Sequence, residues 1–114
     1  MKKFIITILS IFFAINNTYA FEYQEVRAEH ILVKTKQEAT ELINKIENGQ
    51  SFEDLAKIHS LCPSGKNGGD LGYFGKGQMV PEFENPAFNM AIEEISEPIQ
   101  TQFGWHIIKV IDKR

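Results

Sequence analysis

The sequence predicts an α+β domain, a small antiparallel sheet with helices packed over it. Three observations carry that prediction. Val26 to Lys34 alternates like a strand and has apolar residues on both faces. Two capped, amphipathic helical stretches follow between Thr35 and His59, and a second strand-like run, Trp105 to Ile111, closes the chain. With 114 residues there is room for one such domain and no second core.

Residues 1–20 stand outside that domain. Lys2-Lys3 form a basic n-region, Phe4 to Ile15 an apolar run, and Asn16-Asn17-Thr18-Tyr19-Ala20 ends in a small residue, with Thr18 two positions before it. That is the layout of a secretory signal peptide cleaved after Ala20. The alternative, a membrane anchor, is disfavoured because the run is shorter than the ~20 residues a spanning helix needs. No cysteine follows the leader to carry a lipid. The expected mature domain is therefore residues 21–114, exported, without a stable membrane anchor and monomeric. Lysine, isoleucine and asparagine usage fits a bacterium, so a periplasm is the expected destination and the external medium the alternative.

Loss of Lys2 and Lys3 lowers the basic count from 12 to 10 against 15 acids, moving the net charge from −3 to −5. An acidic domain with no basic run is a poor partner for nucleic acid or an anionic membrane. The single cysteine, Cys62, rules out an internal disulfide, so stability must come from packing.

Within the first strand, Val26, Ala28, His30 and Leu32 share one face, while Ile31 and Val33 point to the other. Apolar residues on both faces predict an interior strand covered by helices. Thr35 reads as an N-cap, with Glu38 completing a capping box. Ala39, Leu42, Ile43 and Ile46 form one stripe and Gly49 stops the helix. Ser51 opens a second helix with Asp54 in its first turn and a buried stripe of Phe52, Leu55, Ala56 and His59. Pro86 fits the first turn of a short third helix carrying Ala87, Phe88 and Ala91. Glu97 to Thr101 suits a short strand, Gln102-Phe103-Gly104 a turn, and the final strand puts His106, Ile108 and Val110 on one face.

Between the second and third helices lies Cys62-Pro-Ser-Gly-Lys-Asn-Gly-Gly-Asp-Leu-Gly-Tyr-Phe-Gly-Lys-Gly-Gln-Met-Val-Pro-Glu-Phe83. So long an irregular stretch in so short a chain needs a function. Its glycines allow positive φ and close backbone approach, yet Leu71, Phe74, Met79 and Phe83 are too apolar for a solvated linker. They form either a core-packed hairpin loop or the wall of an apolar binding pocket.

Taken with its flanks, Ala28-Glu29-His30-Ile31-Leu32-Val33 and Thr101-Gln102-Phe103-Gly104-Trp105-His106-Ile107-Ile108-Lys109-Val110, this stretch closely resembles the parvulin family of peptidyl-prolyl cis/trans isomerases. The resemblance runs from about Arg27 to Lys113. It implies a four-stranded antiparallel sheet with about four helices, and makes Leu71 to Phe74 a further strand. It also implies a reaction that needs no cofactor, because no stable bond is made or broken. The barrier is the partial double bond of the amide, about 20 kcal/mol. A catalyst must favour the twisted amide over both planar forms, and a thousandfold acceleration takes about 4 kcal/mol of such preference.

On this resemblance Leu71, Met79 and Phe83 match the proline-ring pocket, where a thioether and a flat ring can grip a pyrrolidine without polar partners. Ordinary core packing is the competing role for them. His30 and His106 match the family's paired histidines, one donating to the other and orienting what lies above. Thr101 resembles a hydroxyl bonded into that pair, and Phe103 stands where it adds an apolar wall. Cys62 sits where relatives carry cysteine or aspartate near the substrate carbonyl, an interchange that argues for local polarity and against a covalent intermediate. A cysteine hydrolase using Cys62 with His30 or His106 lacks any activating motif, and a Cys/His metal site lacks close ligand pairs.

Asp70 is expected to hold the loop by bonding backbone amides, Gln78 to meet substrate backbone or solvent, and His59 to be a packed or capping histidine. Phospho-directed relatives carry an arginine- and lysine-rich loop after the first strand; here only Lys34 and Lys36 are near, and neither offers a guanidinium fork. The expected partners are unmodified Xaa-Pro segments of exported, unfolded or partly folded polypeptides, with a hydrophobic residue before the proline. The rival function is a peptide-binding chaperone module with little or no turnover.

Overall fold

Strand β1 (Glu25–Val33) lies inside the sheet because it is apolar on both sides: Val26, Ala28 and His30 are buried on one face, Ile31 and Val33 on the other. The computed structural model describes residues 22–114; the leader and its cleavage point lie outside the described residues. After β1 come α1 (Lys36–Glu47), α2 (Phe52–His59), a 3-10 turn (Pro63–Asn67), β2 (Asp70–Gly75), α3 (Pro81–Asn89), β3 (Ile99–Thr101) and β4 (Gly104–Lys113). The sheet order is β2-β1-β4-β3, with every neighbouring pair antiparallel. This is the four-stranded α+β architecture expected; among the described residues it carries three α-helices and one 3-10 turn where about four helices were expected.

The sheet has a core on each face. α1 and α2 cover Ile31, Val33 and Ile107, whereas α3 covers Val26, Ala28, Ile108 and Val110. Both helix starts expected from the sequence form. Thr35 Oγ1 accepts the Glu38 amide at 3.1 Å and Ser51 Oγ accepts that of Asp54 at 3.1 Å; each such cap stabilises by about 1 kcal/mol.

Three expectations need correction. Helix α3 begins at Pro81, not Pro86, which lies inside it. Pro81 takes the first helical position, where a missing N–H is harmless, behind an extended Val80. Phe83 is consequently a helix residue and not part of the loop. Ala91 falls after the helix end at Asn89 and is exposed. His59, placed on the buried stripe of α2, is exposed in its last turn, while Phe52, Leu55 and Ala56 are buried as expected. Among the described residues no helix is long and apolar enough to cross a membrane.

The glycine-rich segment is clamped against β1. Gly69 has φ +89°, its carbonyl accepts the His30 amide at 2.9 Å, and a Cβ there would meet the His30 carbonyl oxygen at 2.3 Å. Only glycine fits this close approach. Ser60, just after α2, accepts amides from Leu32 (3.1 Å) and Cys62 (3.3 Å), which fastens the start of the segment to the same strand.

Candidate active site

A cavity of about 510 Å³ opens over the α3 face of the sheet. Its floor is His30 from β1 and His106 from β4, and its walls include Leu71, Met79, Phe83, Phe103 and Cys62. The sheet register explains the floor. Leu32 pairs with His106 and His30 with Ile108, so the two histidines are diagonal neighbours on one face. Of the eight residues that the family resemblance assigns to the site, seven line the cavity and the eighth, Thr101, is buried behind His106.

The histidines meet edge to edge. Their Nδ1 atoms are 2.9 Å apart, with ring centroids 5.1 Å apart and planes inclined by 20°. Behind them His106 Nε2 lies 2.7 Å from Thr101 Oγ1, which accepts the Phe103 amide at 3.1 Å. One arrangement of protons uses this chain best. The Thr101 hydroxyl donates to His106 Nε2, leaving the His106 proton on Nδ1, where it donates to His30 Nδ1. His30 then carries its proton on Nε2, a buried nitrogen without a partner among the described residues. The reverse arrangement would leave the buried Thr101 hydroxyl proton without an evident acceptor.

Burial, and then the neighbouring His106, pulls the His30 pKa down to about 4; burial also lowers His106. Both imidazoles are therefore neutral near pH 7, as a single shared proton between two Nδ1 atoms requires. Phe83 stands nearly perpendicular to both rings, at 5.5 Å from His30 and 5.4 Å from His106, and packs on Phe74 at 6.0 Å. It belongs to the core and to the cavity wall at once, so the two roles weighed for it are compatible.

The Cys62 thiol is half-buried and accepts a hydrogen bond from the Ser64 hydroxyl at 3.3 Å. No nitrogen of His30 or His106 reaches it: three are engaged within the Thr101–His106–His30 chain and the fourth, His30 Nε2, has no partner among the described residues. A thiol without a base is not an activated nucleophile. Among the described residues no group of three or more His, Cys, Asp or Glu side chains could hold a metal ion.

Asp70 does hold the loop. Its Oδ1 accepts the Gly72 amide at 2.9 Å and its Oδ2 pairs with Arg27 at 2.5 Å, the contact that holds its pKa below the usual range. Gln78 lines the cavity, and its Oε1 accepts the Gly75 amide at 2.8 Å, closing the turn there. Sequence reasoning missed Leu32, Leu61, Pro63 and Val80, which complete the walls. Leu61 and Phe103 stand out because they are 56% and 62% exposed, unusual for large apolar residues beside a cavity. Leu61 adjoins Cys62 in sequence, but nothing in its local pattern separated it from the buried leucines.

The comparisons with known proteins agree with this geometry. The model of the PPIC-type PPIase domain matches residues 8–114. The foldase protein PrsA of Halalkalibacterium halodurans is 52% identical over 91 residues, covering 79% of this chain and 27% of that protein. The chain thus spans about a quarter of that relative's length. Among solved structures, NmPin, the parvulin of Nitrosopumilus maritimus, superposes with a TM-score of 0.72 at 43% identity, covering 78% of this chain and 97% of that one. One of two SurA-like chaperones of Campylobacter jejuni, PEB4 and the periplasmic protein Cj1289, superposes with a TM-score of 0.77 at 32% identity, covering 95% of this chain and 46% of that one. The fold, the histidine floor and the matched length together show that this chain belongs to the PPIC-type PPIase family, the parvulins.

Proposed function

We propose that this protein accelerates cis/trans isomerisation of Xaa-Pro bonds in exported, incompletely folded polypeptides. The observation that carries the reading is an apolar cavity set over a neutral, mutually hydrogen-bonded histidine pair. Leu71, Met79 and Phe83 grip the proline ring, so the ring is held while the carbonyl on its N-terminal side swings. An apolar, water-poor wall favours the twisted amide, which has lost resonance and part of its carbonyl dipole, over the planar forms. Cys62 and its Ser64 partner supply local polarity near that carbonyl. His30, His106 and Thr101 position the floor; they move no proton to substrate, since the reaction transfers none.

The cavity exceeds what one proline ring fills, and lies within the range of peptide-sized and drug-sized sites. Leu61 and Phe103 add exposed apolar wall to it, and no charged side chain lines it. This supports an unmodified substrate with a hydrophobic residue before the proline. Lys34 and Lys36 are exposed, and Lys36 sits over the Trp105 ring at 5.8 Å, outside the cavity lining. The leader and the relatives' names favour an extracytoplasmic site of action, periplasmic if the cell has an outer membrane, with the domain of residues 21–114 acting as a monomer.

The test is exchange between cis and trans forms of an Ala-Phe-Pro-type peptide, followed by NMR with catalytic amounts of the protein. Acceleration that collapses in Met79→Ala establishes both activity and pocket. No acceleration by the folded protein, across several residues before proline, would leave the second reading, a peptide-binding chaperone module; the SurA-like neighbour is the observation favouring that reading.

A further inference from the structure

Four side chains that line the cavity carry a polar hydrogen: His30, Cys62, Gln78 and His106. Three of them are poor donors to a bound peptide. The His106 proton is held between the two Nδ1 atoms, and His30 Nε2 is closed off from solvent. The Cys62 thiol is a weak donor by its chemistry. Gln78 remains, exposed as well as cavity-lining, so a peptide can reach it.

The turn around Gln78 fixes which end of its amide is offered. Its Oε1 accepts the Gly75 amide at 2.8 Å, and its own main-chain N–H donates to the Gly75 carbonyl at 3.3 Å. A main-chain N–H can only donate, so the side-chain oxygen faces Gly75 and Nε2 points elsewhere. Both hydrogens on Nε2 are left for a ligand, since Nε2 has no partner among the described residues. The turn is also tied to α3, because the Gly77 amide donates to Glu84 Oε1 at 2.5 Å, one residue after Phe83 of the cavity wall. Gln78 is thus held in place before a peptide arrives, which lowers the ordering cost of bonding one.

The chemistry of an Xaa-Pro segment says what such a donor meets. Proline has no N–H, so its main-chain polar group is its carbonyl. Entering an apolar cavity strips water from that oxygen, which is costly unless a donor replaces it. The carbonyl of the residue before proline is the wrong target. It swings during isomerisation, and a fixed donor on it would favour one planar form. The proline carbonyl lies on the side of the amide bond that stays with the gripped ring.

We propose that Gln78 Nε2 donates a hydrogen bond to the main-chain carbonyl of the substrate proline. The bond anchors the half of the peptide that stays still while the other half turns. Its part in turnover rests on the isomerase reading; as a binding contact it needs only that Xaa-Pro peptides enter the cavity.

Two ligands test it: an Ala-Phe-Pro peptide capped as a dimethylamide, and an analogue ending in 2-methylpyrrolidine in place of proline. The analogue keeps the ring, the preceding carbonyl and the cis/trans pair, and the proline carbonyl is the polar group it lacks. In NMR titrations, the Gln78 side-chain N–H signals should shift with the peptide and stay in place with the analogue. Gln78→Glu keeps an oxygen for the Gly75 amide and removes both donors. It should weaken binding of the peptide by about five- to tenfold and leave that of the analogue unchanged. Unmoved Gln78 signals at saturating peptide, or equal losses for peptide and analogue, would overturn the contact. So would a folded wild type that binds no peptide. Cis/trans exchange on the same samples keeps the two readings apart: selective binding without acceleration would sink turnover and leave the Gln78 contact standing.

Discussion

His30 Nδ1 lies 2.9 Å from His106 Nδ1, and that contact joins the two central strands of the sheet beneath the cavity. Because His30 Nδ1 accepts from His106 Nδ1, a second proton on His30 would set donor against donor. The Thr101 hydroxyl and the Phe103 amide extend the chain to the β3–β4 turn, so the floor is built from three strands and a turn. Its order depends on neutrality.

The pair should therefore give an acid limit. His30, with a pKa lowered from 6.5 to about 4, binds fewer protons folded than unfolded, and His106 is shifted the same way. Stability from these two is present above about 6.5 and is lost as pH falls toward about 4. Glu29, whose pKa burial raises to about 8, works in the opposite sense over part of that range, so the slope is clearest in Glu29→Gln. Imidazole NMR should show His106 protonated on Nδ1 and both rings neutral at pH 7. A ring found charged at that pH would contradict the arrangement.

Met79 and Phe83 separate binding from folding. Phe83 is 3% exposed and packs on Phe74 and both histidines, so Phe83→Ala should destabilise by about 3–5 kcal/mol as well as abolish turnover. Met79 is only partly buried. Met79→Ala should destabilise by about 1 kcal/mol while reducing isomerisation on the order of tenfold. Urea denaturation beside the exchange assay checks both. Equal loss of stability in the two variants would mean that Met79 is core rather than pocket.

How much of this was legible in the residues follows from where the information lies. Strand β1 showed itself through apolar residues on both faces, and Thr35 and Ser51 through local hydrogen bonding that a short sequence window contains. The α3 start was misread because two prolines, Pro81 and Pro86, both suit a first turn and only tertiary packing of Phe83 and Ala87 chooses between them. His59 follows the helical period but is exposed in the last turn of α2, and the period alone does not show where burial ends. Most of the cavity was recognisable through motif resemblance. Leu61 and Leu32 were not, since they reach it only by the bonds between their backbones and through Ser60.

The Cys62 proposal has a sharp test. Its thiol has a serine hydroxyl for company and no imidazole. If it contributes polarity alone, Cys62→Asp should keep isomerisation within about tenfold of wild type, and Cys62→Ala should lose more than the aspartate variant. A covalent role predicts that both variants are dead. Peptide-exchange NMR on the three proteins distinguishes the cases.

Gly69→Ala should damage the site from outside it. Gly69 has φ +89°, and a Cβ would stand 2.3 Å from the His30 carbonyl oxygen, a contact that backbone must move to relieve. The strained φ alone disfavours alanine by about 1–2 kcal/mol. Movement of Gly69 also breaks its hydrogen bond with the His30 amide, which shifts the residue whose ring forms the cavity floor. The expected outcome is a destabilised protein whose His30 and His106 imidazole resonances are displaced, even though neither ring contacts the new methyl group. Gly77→Ala is the control: its φ is +88°, but nothing lies within 4 Å of a Cβ there. It should share the backbone strain and leave the histidine resonances in place. Equal shifts in both variants would mean that the effect is general loosening, not the close approach of Gly69 to β1.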